Sequence, residues 1–474
     1  MIRHLRQEHA VSRLRASPPG GSYSVYGRLL SACLLVCLVL CTVACGDKPR
    51  TDFYGAYKLD NGEVLVIVPS AEKNTLRLYN TANGLSRRLY PVAGANLDAA
   101  TVRYQTGDGW SVKEPAVLFV ELHRAAAIAP TISFEEAGKA PVKGRRMPIE
   151  SETVEFESEG IRLTGCLYLP QEPGPHPAIV LHQGSEHDSW KDYNGSGYLF
   201  AANGIAAFCY DKRGVGSSQG KFTMDFYKLA ADMCAAVECL KQHKAIDPDR
   251  IGVGGYSQGG WIGPLAASQR SDIRFVHVGF GLADSPFDED REETLNALRD
   301  LGYKDADLAR ARRVIGATQE VIRQGLKGGW DELEAVKKEC RNEPWMKHMD
   351  GGITEAFIKW PGWCLRIFAR NRILLYGLSW DYDPRPVLEK VQVPMLWLLG
   401  GEDREAPNRE TLARLDVLKK KGKPLDVVVF PATDHGGVVF REDKGERIIT
   451  GFHPDYMRTE VDWVSRAVGV NAGA

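Results

Sequence analysis

The sequence predicts an α/β domain with a mostly parallel sheet, covered by helices on both faces and carrying a helical insertion, behind a small N-terminal β domain. Two observations predict this class. From Pro177 onward, short apolar runs typical of buried strands alternate with longer segments of helical spacing. One apolar run also leads into a glycine-rich turn around a single serine, in the stretch VGGYSQGGW at 253–261. Alternating strands and helices favour a parallel sheet between two helical layers.

The first 45 residues are expected to be a signal peptide of the lipoprotein type and not part of the fold. Residues 1–28 contain five arginines and one glutamate, and Leu29–Ala44 is an almost unbroken apolar run. It ends in TVACG, which resembles the lipobox of bacterial lipoproteins. We therefore expect export to the periplasm or cell envelope, with a lipid anchor at Cys45 and membrane association only through this segment. An uncleaved membrane anchor is the alternative.

Residues 46–145 predict a small β domain followed by a linker. Short β-prone pieces alternate there with turn signals such as Asn61-Gly62 and Asn83-Gly84. The stretch 138–146 is interpreted as the linker that leaves this domain.

The α/β domain is predicted in two parts, residues 146–284 and 385–474. The expected strands are Pro177–Leu181, Gly204–Tyr210, Arg250–Gly254, Phe275–Phe280, Val393–Leu399 and Val427–Phe430, and the expected helices include Phe222–His243 and Gln258–Gln269. The strands are short apolar runs, and the first of the two helices has apolar residues at helical spacing.

Residues 285–384 separate two predicted strands and are expected to form a helical cap over the serine. Ser285-Pro286 is a good helix start. Five tryptophans, at 330, 345, 360, 363 and 380, form either an aromatic wall for an apolar substrate group or, as we expect for most, the core of the cap. The acidic run Asp288–Glu293 could recognise a peptide amino terminus, but a solvated first helical turn is the preferred interpretation.

The pentapeptide GYSQG at 255–259 fits the nucleophile elbow G-x-S-x-G, in which a strand turns sharply into a helix. A serine hydroxyl needs a base to take its proton and an acid residue to orient that base. Ser257 is therefore the candidate nucleophile.

The expected order is Ser, Asp, His, with the acid and the base on loops that follow strands. Asp403 follows the strand ending at Leu399, and His435 follows the strand ending at Phe430. These two residues are the predicted acid and base. Glu402, Asp434 and Asp383 compete for the acid role, and Asp403 could instead cap the helix that begins near residue 406.

These motifs resemble the α/β-hydrolase superfamily, and more closely its exported bacterial esterases and serine-peptidase-like members. The resemblance rests on GYSQGG at 255–260, on the D-x-R-G-x-G-x-S stretch at 211–218, and on the loops of Asp403 and His435. It implies an α/β-hydrolase fold over residues 152–284 and 385–470. It also implies that the stretch at 211–218 is structural, with Arg213 paired internally, and not a phosphate loop.

The oxyanion hole requires two N–H donors, one from the residue after the nucleophile, Gln258, and one from the loop LHQGSE at 181–186. That loop aligns with the family pattern His-Gly-Ser-Gly in two ways. Either His182 matches the histidine, or Gly184 and Ser185 match Gly-Ser. The second alignment needs no gap and makes the Ser185 N–H the donor.

The function predicted from these residues is an exported serine hydrolase that cleaves carboxylic esters through an acyl-enzyme on Ser257, with a small-molecule ester or short peptide as substrate. A serine peptidase resembling aminopeptidases or dipeptidyl-peptidases is the alternative, and a non-catalytic envelope binding protein is a weaker one. A formal net charge of −1 gives no case for nucleic-acid binding. No Cys/His metal spacing or cofactor motif is present, so neither a metal nor a cofactor is expected.

Overall fold

The computed structural model describes residues 52–125, 128–189, 195–349, 353–368, 375–406, 408–443 and 446–470. The expected signal peptide and Cys45 lie outside these residues. Within the described ranges, no helix combines the length and the apolar character needed to cross a membrane. The six cysteines in these ranges are free thiols, and Cys209 is buried as a small core residue.

The N-terminal part of the described chain is a closed barrel of eight antiparallel strands. These are β1 (Gly55–Leu59), β2 (Val64–Pro69), β3 (Leu76–Asn80), β4 (Ser86–Pro91), β5 (Thr101–Thr106), β6 (Leu118–Ala125), β7 (Ile128–Glu136) and β8 (Val142–Arg146). Strand β8 pairs with both β7 and β1 and so closes the barrel. The interpretation of residues 138–146 as a linker is therefore wrong, because most of this stretch is a barrel strand.

The barrel has its own core and also packs on the domain that follows. Leu65 and Ile67 point into the barrel core, whereas Val66 and Val68 point outward and pack near Tyr198 of the next domain. Because side chains alternate along a strand, β2 is buried on both faces. This accounts for its continuous apolar sequence.

A second sheet of eight strands forms the centre of the main domain. Its strands are β9 (Glu150–Ser158), β10 (Ile161–Leu169), β11 (His176–His182), β12 (Ala206–Tyr210), β13 (Ile246–Tyr256), β14 (Val276–Gly279), β15 (Met395–Gly400) and β16 (Leu425–Phe430). The order across the sheet is β16-β15-β14-β13-β11-β12-β10-β9. All strands from β11 to β16 are parallel, and the β9–β10 hairpin, which was not predicted, is antiparallel.

Helices cover both faces of this sheet. The described helices are α1 (Ser196–Ala201), α2 (Phe226–Lys241), α3 (Gly259–Ala267), α4 (Pro286–Asp300), α5 (Asp305–Arg323), α6 (Trp330–Cys340), α7 (Thr354–Lys359), α8 (Gly362–Phe368), α9 (Pro384–Lys390), α10 (Arg409–Lys420) and α11 (Tyr456–Ala467). Val180 packs with α2 and α3 on one face, and its neighbour Ile179 packs with α1 and α11 on the other. This arrangement is the α/β-hydrolase fold predicted from the sequence.

The chain between β14 and β15 forms the helical insertion α4–α8. Helix α4 begins with a capping box, in which the Ser285 side chain accepts from the Asp288 N–H. Trp345, Trp330 and Trp380 are buried, whereas Trp360 and Trp363 are 58% and 57% exposed. Trp345 lies in a core cluster formed by the insertion alone, whereas Trp330 and Trp380 lie in the cluster that the insertion shares with the main domain, so the expectation that most of the five form the cap's own core is not met.

A three-stranded antiparallel sheet follows β16 and lies against the barrel. It consists of β17 (Thr433–Asp434), β18 (Val438–Asp443) and β19 (Glu446–Phe452). The Phe452 N–H donates to the Gly84 carbonyl over 2.8 Å, and the Trp110 N–H donates to the Ile449 carbonyl over 2.9 Å. The β18–β19 hairpin was not predicted, and it joins the barrel to the loop that carries His435.

Candidate active site

Ser257 lies on a strained turn between β13 and α3. Its φ of +51° is in the left-handed region, which residues with a Cβ rarely adopt. A Cβ on Gly255 would lie 2.0 Å from the Gly259 carbonyl oxygen, and a Cβ on Gly259 would lie 2.6 Å from the His182 carbonyl oxygen. Both contacts are with backbone, so larger residues would force the turn apart. The glycines around this serine are therefore required by the turn.

Asp403 and His435 meet at the carboxyl ends of β15 and β16. His435 Nδ1 lies 3.0 Å from Asp403 Oδ2, and the two side chains are 9% and 2% exposed. The other carboxylate oxygen of Asp403 accepts the N–H groups of Glu405 and Ala406 over 3.0 and 2.7 Å. Asp403 thus caps the turn that follows it and contacts the imidazole at the same time, while helix α10 begins only at Arg409, so its role as the acid stays a prediction.

The three competing carboxylates are occupied elsewhere. Asp434 Oδ2 and Glu402 Oε2 accept from the guanidinium of Arg447 over 2.6 and 3.0 Å. Asp383 accepts the Arg385 N–H over 3.0 Å at the start of α9. Asp403 is therefore the carboxylate available to His435.

Phe280 lies between the elbow and the imidazole. Its ring stacks on Tyr256 at 5.6 Å and meets the His435 ring edge-on at 4.8 Å. The hydrogen bonds among the described residues include none between Ser257 Oγ and His435. Catalytic hydrogen bonds are often long without substrate and shorten only when it binds. The sheet order places β13 and β15 on either side of β14, so the loops of Ser257 and Asp403 leave the same edge.

Acidic side chains interact electrostatically with His435 and with one another. Glu289 on α4 and Glu405 interact electrostatically with His435, and Glu293 on α4 interacts with both glutamates. Burial raises the pKa of Glu289 to about 7 and that of Glu293 to about 8. Burial favours neutral His435, but the carboxylates of Asp403 and Glu405 outweigh it and raise the pKa of His435 to about 9.

The acidic run of α4 is therefore more than a solvated helical turn. The buried carboxylate of Asp290 accepts the Ile353 and Thr354 N–H groups over 2.8 and 3.2 Å, which is a structural role. Glu289 and Glu293, in contrast, lie on the side of the helix that interacts with Glu405. The structure thus separates the run into structural carboxylates and carboxylates near the base.

Residues 159–437 match the X-Pro dipeptidyl-peptidase (S15) family. The chain belongs to this family. The match spans the elbow, both loops of the predicted acid and base, and the helical insertion. The chain therefore belongs to a family of hydrolases with the α/β-hydrolase fold, as the sequence predicts, and carries an eight-stranded barrel at its N-terminal side.

Relatives of this S15 hydrolase carry several activities in their names. "Thiohydrolase apmlB" of Arthrinium phaeospermum is 32% identical over 160 residues, which cover 33% of this chain and 51% of that protein. "Esterase EstD" of Thermotoga maritima is 23% identical over 313 residues and 64% of each chain. The chain spans about half the length of several curated relatives that it matches.

Among solved structures, the α/β hydrolase GrgF from Penicillium sp. sh18 aligns with 68% of this chain and 99% of its own. The identity is 16% and the TM-score is 0.44. The fold assignment for this S15 hydrolase rests on its strand order and not on this similarity.

The loop at 181–186, which is predicted to supply one oxyanion donor, contacts the elbow through its first residues. A Cβ on Gly259 would lie 2.6 Å from the carbonyl oxygen of His182 and 3.2 Å from that of Gln183. The buried ammonium of Lys212 donates to the Gly184 carbonyl over 2.7 Å and so fixes the next residue of the loop. Burial lowers the pKa of Lys212 to about 8. The role of Ser185 stays a prediction.

Gln258, the other predicted donor, follows the nucleophile and is 1% exposed. Neither polar atom of its side chain has a hydrogen-bond partner among the described residues. Buried amides are nearly always paired, so an unpaired one beside the nucleophile is consistent with a group that meets a ligand or water.

The stretch at 211–218 has a structural role, as expected. Arg213 pairs with the fully buried Asp232 over 2.5 Å, and with Glu159 over 3.0 Å. The Asp211 carboxylate accepts the Ser217 N–H over 2.9 Å. The internal pairing of Arg213 is confirmed.

Sequence reasoning did not identify Lys212 or Arg447. Lys212 lies within the motif quoted for the resemblance, at a variable position, and its neighbour in space is 28 residues away. Arg447 could have been noticed as the charged residue in a β-prone run, RIITGF at 447–452. Its partners lie 13 and 45 residues earlier, so no local pattern would have identified them.

Proposed function

We propose that this S15 hydrolase cleaves carboxylic esters through an acyl-enzyme on Ser257. The observation that carries the proposal is the buried Asp403–His435 pair, 3.0 Å apart, at the same edge of the sheet as a serine on a strained elbow. A strained serine and an oriented imidazole at one sheet edge are two requirements of nucleophilic acyl transfer.

In the proposed reaction, His435 Nε2 accepts the hydroxyl proton while Ser257 Oγ attacks the ester carbonyl carbon. Asp403 keeps the Nδ1 proton in place and stabilises the imidazolium. The imidazolium then gives its proton to the leaving alkoxide. A water molecule, deprotonated by the same imidazole, attacks the acyl-enzyme and releases the acid and free Ser257. The N–H groups of Gln258 and Ser185 are the proposed donors to the oxyanion.

Ester cleavage is supported by the breadth of the similarity to Esterase EstD, which extends over 64% of this chain. The test is turnover of purified protein on p-nitrophenyl esters from acetate to laurate, with Ser257→Ala as control. Turnover that is lost in the variant supports the proposal. Absent turnover, together with absent labelling of Ser257 by a fluorophosphonate, would instead favour a non-catalytic binding protein.

A second candidate function is cleavage of peptides with a free amino terminus, and the acidic side chains near His435 favour it. Burial raises the pKa of Glu289 to about 7 and that of Glu293 to about 8, so above about pH 8 these carboxylates, together with Glu405, would attract an ammonium group near the scissile bond. The family description, X-Pro dipeptidyl-peptidase, agrees with this chemistry.

The two functions are separated by comparing aminoacyl and dipeptidyl amides with their N-acetylated forms. A peptidase would prefer the free amine, and Glu293→Gln would raise KM for the amine substrate alone. Glu292→Gln is the matched control, because Glu292 lies on the same helix but pairs with Arg291 and Arg299. Equal turnover of free and acetylated amides would exclude amine recognition.

We also propose that the helical insertion caps the active site, because helix α4 carries Glu289, which interacts electrostatically with His435. A preference for short acyl chains in the ester panel would support a closed cap. Export and lipidation at Cys45 are likewise proposals, which mass spectrometry of the mature N-terminus in an expressing bacterium would test.

A further inference from the structure

Arg447 on β19 bridges the loops of Asp403 and His435. Its Nη1 donates to the Glu402 carbonyl over 2.9 Å and to Asp434 Oδ2 over 2.6 Å, and its Nη2 donates to Glu402 Oε2 over 3.0 Å. Glu402 directly precedes Asp403, and Asp434 directly precedes His435. One guanidinium therefore holds the residues before the proposed acid and the proposed base.

Asp434 extends this connection to the backbone of both loops. Its Oδ1 accepts the His435 N–H over 2.9 Å and the Arg404 N–H over 3.0 Å. The loops are also joined directly, since the Glu402 N–H donates to the Thr433 carbonyl over 2.9 Å. Without the cation, the carboxylates of Glu402 and Asp434 would face each other uncompensated, and like charges at close range repel.

Arg447 is fixed in place. Its side chain is 12% exposed, and its guanidinium carbon lies 3.8 Å from the centre of the Phe440 ring on the paired strand. A guanidinium can bind two carboxylates and stack on an aromatic ring at once, which a lysine ammonium cannot do equally well.

The other end of β19 is held by the barrel. Phe452 meets Trp110 of the barrel edge-on at 5.2 Å, in addition to its hydrogen bond with the Gly84 carbonyl. A Cβ on Gly84 would lie 2.5 Å from the Phe452 carbonyl oxygen, so the two backbones are in close contact. The strand that carries Arg447 is thus attached to the barrel at one end and to the two loops at the other.

We propose that Arg447 is a positioning residue for the Asp403–His435 pair and that the barrel sets the reaction rate by holding the strand that carries it. This inference rests on the proposed function of that pair. It gives the N-terminal barrel a role in catalysis without any contact with substrate. Small displacements of catalytic groups lower the rate strongly, while substrate binding is less affected.

The test compares Arg447→Met with Arg441→Met, a variant of the same hairpin whose exposed arginine pairs with Asp108 at 3.8 Å. We expect kcat on the best ester or amide to fall about 10- to 100-fold in Arg447→Met, with KM changed less than about twofold. Arg441→Met should leave both near wild type. Arg447→Lys, which keeps the charge, should recover part of the loss in kcat. This variant provides the test if the methionine variant folds poorly.

The barrel's part is tested with Trp110→Ala alone and combined with Arg447→Met. If the barrel acts through Arg447, the two losses in kcat are less than multiplicative. Hydrogen exchange of residues 400–406 and 431–438 gives a readout that does not depend on turnover, and it should rise in both variants.

Wild-type kcat in Arg447→Met, an equal loss in Arg441→Met, or multiplicative losses in the double variant would overturn the inference. So would unchanged exchange in the two loops. Failure of the proposed function would be seen separately, as wild-type protein without turnover dependent on Ser257.

Discussion

Asp403 binds His435 with one carboxylate oxygen and the backbone of its own loop with the other. The imidazole Nδ1 is 3.0 Å from Oδ2, while Oδ1 accepts the N–H groups of Glu405 and Ala406. The carboxylate is therefore fixed from both sides and cannot rotate away from the imidazole. This arrangement leaves His435 Nε2 as the nitrogen available to Ser257.

Replacing Asp403 by asparagine should lower kcat about 10⁴-fold with little loss of stability. The amide can donate to Nδ1 and so favours the wrong imidazole tautomer. Steady-state kinetics of Asp403→Asn measure this effect. Asp383→Asn is the control, because Asp383 caps α9 and pairs with Arg385, and it should change kcat less than about twofold. A small effect at Asp403 would contradict its assigned role.

The pH dependence of kcat/KM should report His435. Burial lowers the pKa of this imidazole, but Asp403 and Glu405 outweigh burial and raise it to about 9. Only the neutral imidazole can accept a proton, so kcat/KM should rise with pH and level off above about 9. Glu405→Gln removes one of these carboxylates and should move the midpoint to lower pH.

Glu389→Gln provides the control for this profile, since Glu389 is exposed and pairs with Lys421. Its profile should match that of the wild type. A midpoint that is the same in all three proteins would show that Glu405 does not act on the base.

Glu460, buried beneath the elbow, should make stability fall as pH rises. It accepts from Tyr256, and its Oε1 lies 3.2 Å from Nε2 of the buried His277. Burial raises the pKa of Glu460 to about 7 and lowers that of His277 to about 3. Between the unfolded pKa near 4 and about 7, the folded state keeps the Glu460 proton that the unfolded state releases, so stability declines through this window.

The Glu460→Gln variant should lack this decline. The difference in unfolding free energy between this variant and the wild type should shift by on the order of 3 kcal/mol in favour of the variant from pH 5 to pH 8. Urea denaturation of both proteins at the two pH values measures this difference. The titration of His277 contributes equally to both proteins and therefore cancels. An equal pH dependence in both would show that Glu460 ionises normally.

The buried ion pair of Arg213 predicts a large loss of stability in Asp232→Ala. Arg213 is 4% exposed and Asp232 is fully buried, so the variant leaves a buried guanidinium with the exposed Glu159 as its remaining ionic partner among the described residues. Loss of one member of such a pair costs about 3–5 kcal/mol. Asp249→Ala, which breaks the exposed pair with Arg274, should cost less than about 1 kcal/mol. Chemical denaturation of both variants tests this difference.

The parts of the site predicted from the sequence are those with a local signal. A serine between glycines after an apolar run identified the elbow, and Asp403 and His435 were found because each follows a strand. Their mutual contact could be expected because parallel strands end at one edge of the sheet.

The parts that were missed depend on contacts distant in sequence. Strand β8 closes the barrel by pairing with β1, where Arg146 lies opposite Tyr57, 89 residues earlier in the chain. In the sequence, β8 is a short polar stretch. Arg447 binds two loops that lie 13 and 45 residues earlier in the sequence, and the barrel holds the strand that carries it. The sequence of the acidic run in α4 correctly predicts the start of a helix. It does not predict which of its carboxylates interact with His435, because that depends on how the helix packs.

The most direct test of the account is reaction of the purified protein with a fluorophosphonate, followed by mass spectrometry of the intact chain and of its peptides. We predict one adduct per chain, located on Ser257, absent in Ser257→Ala and formed much more slowly in His435→Ala. An adduct on another residue, or no adduct on folded wild-type protein, would contradict the assignment of Ser257 as the nucleophile.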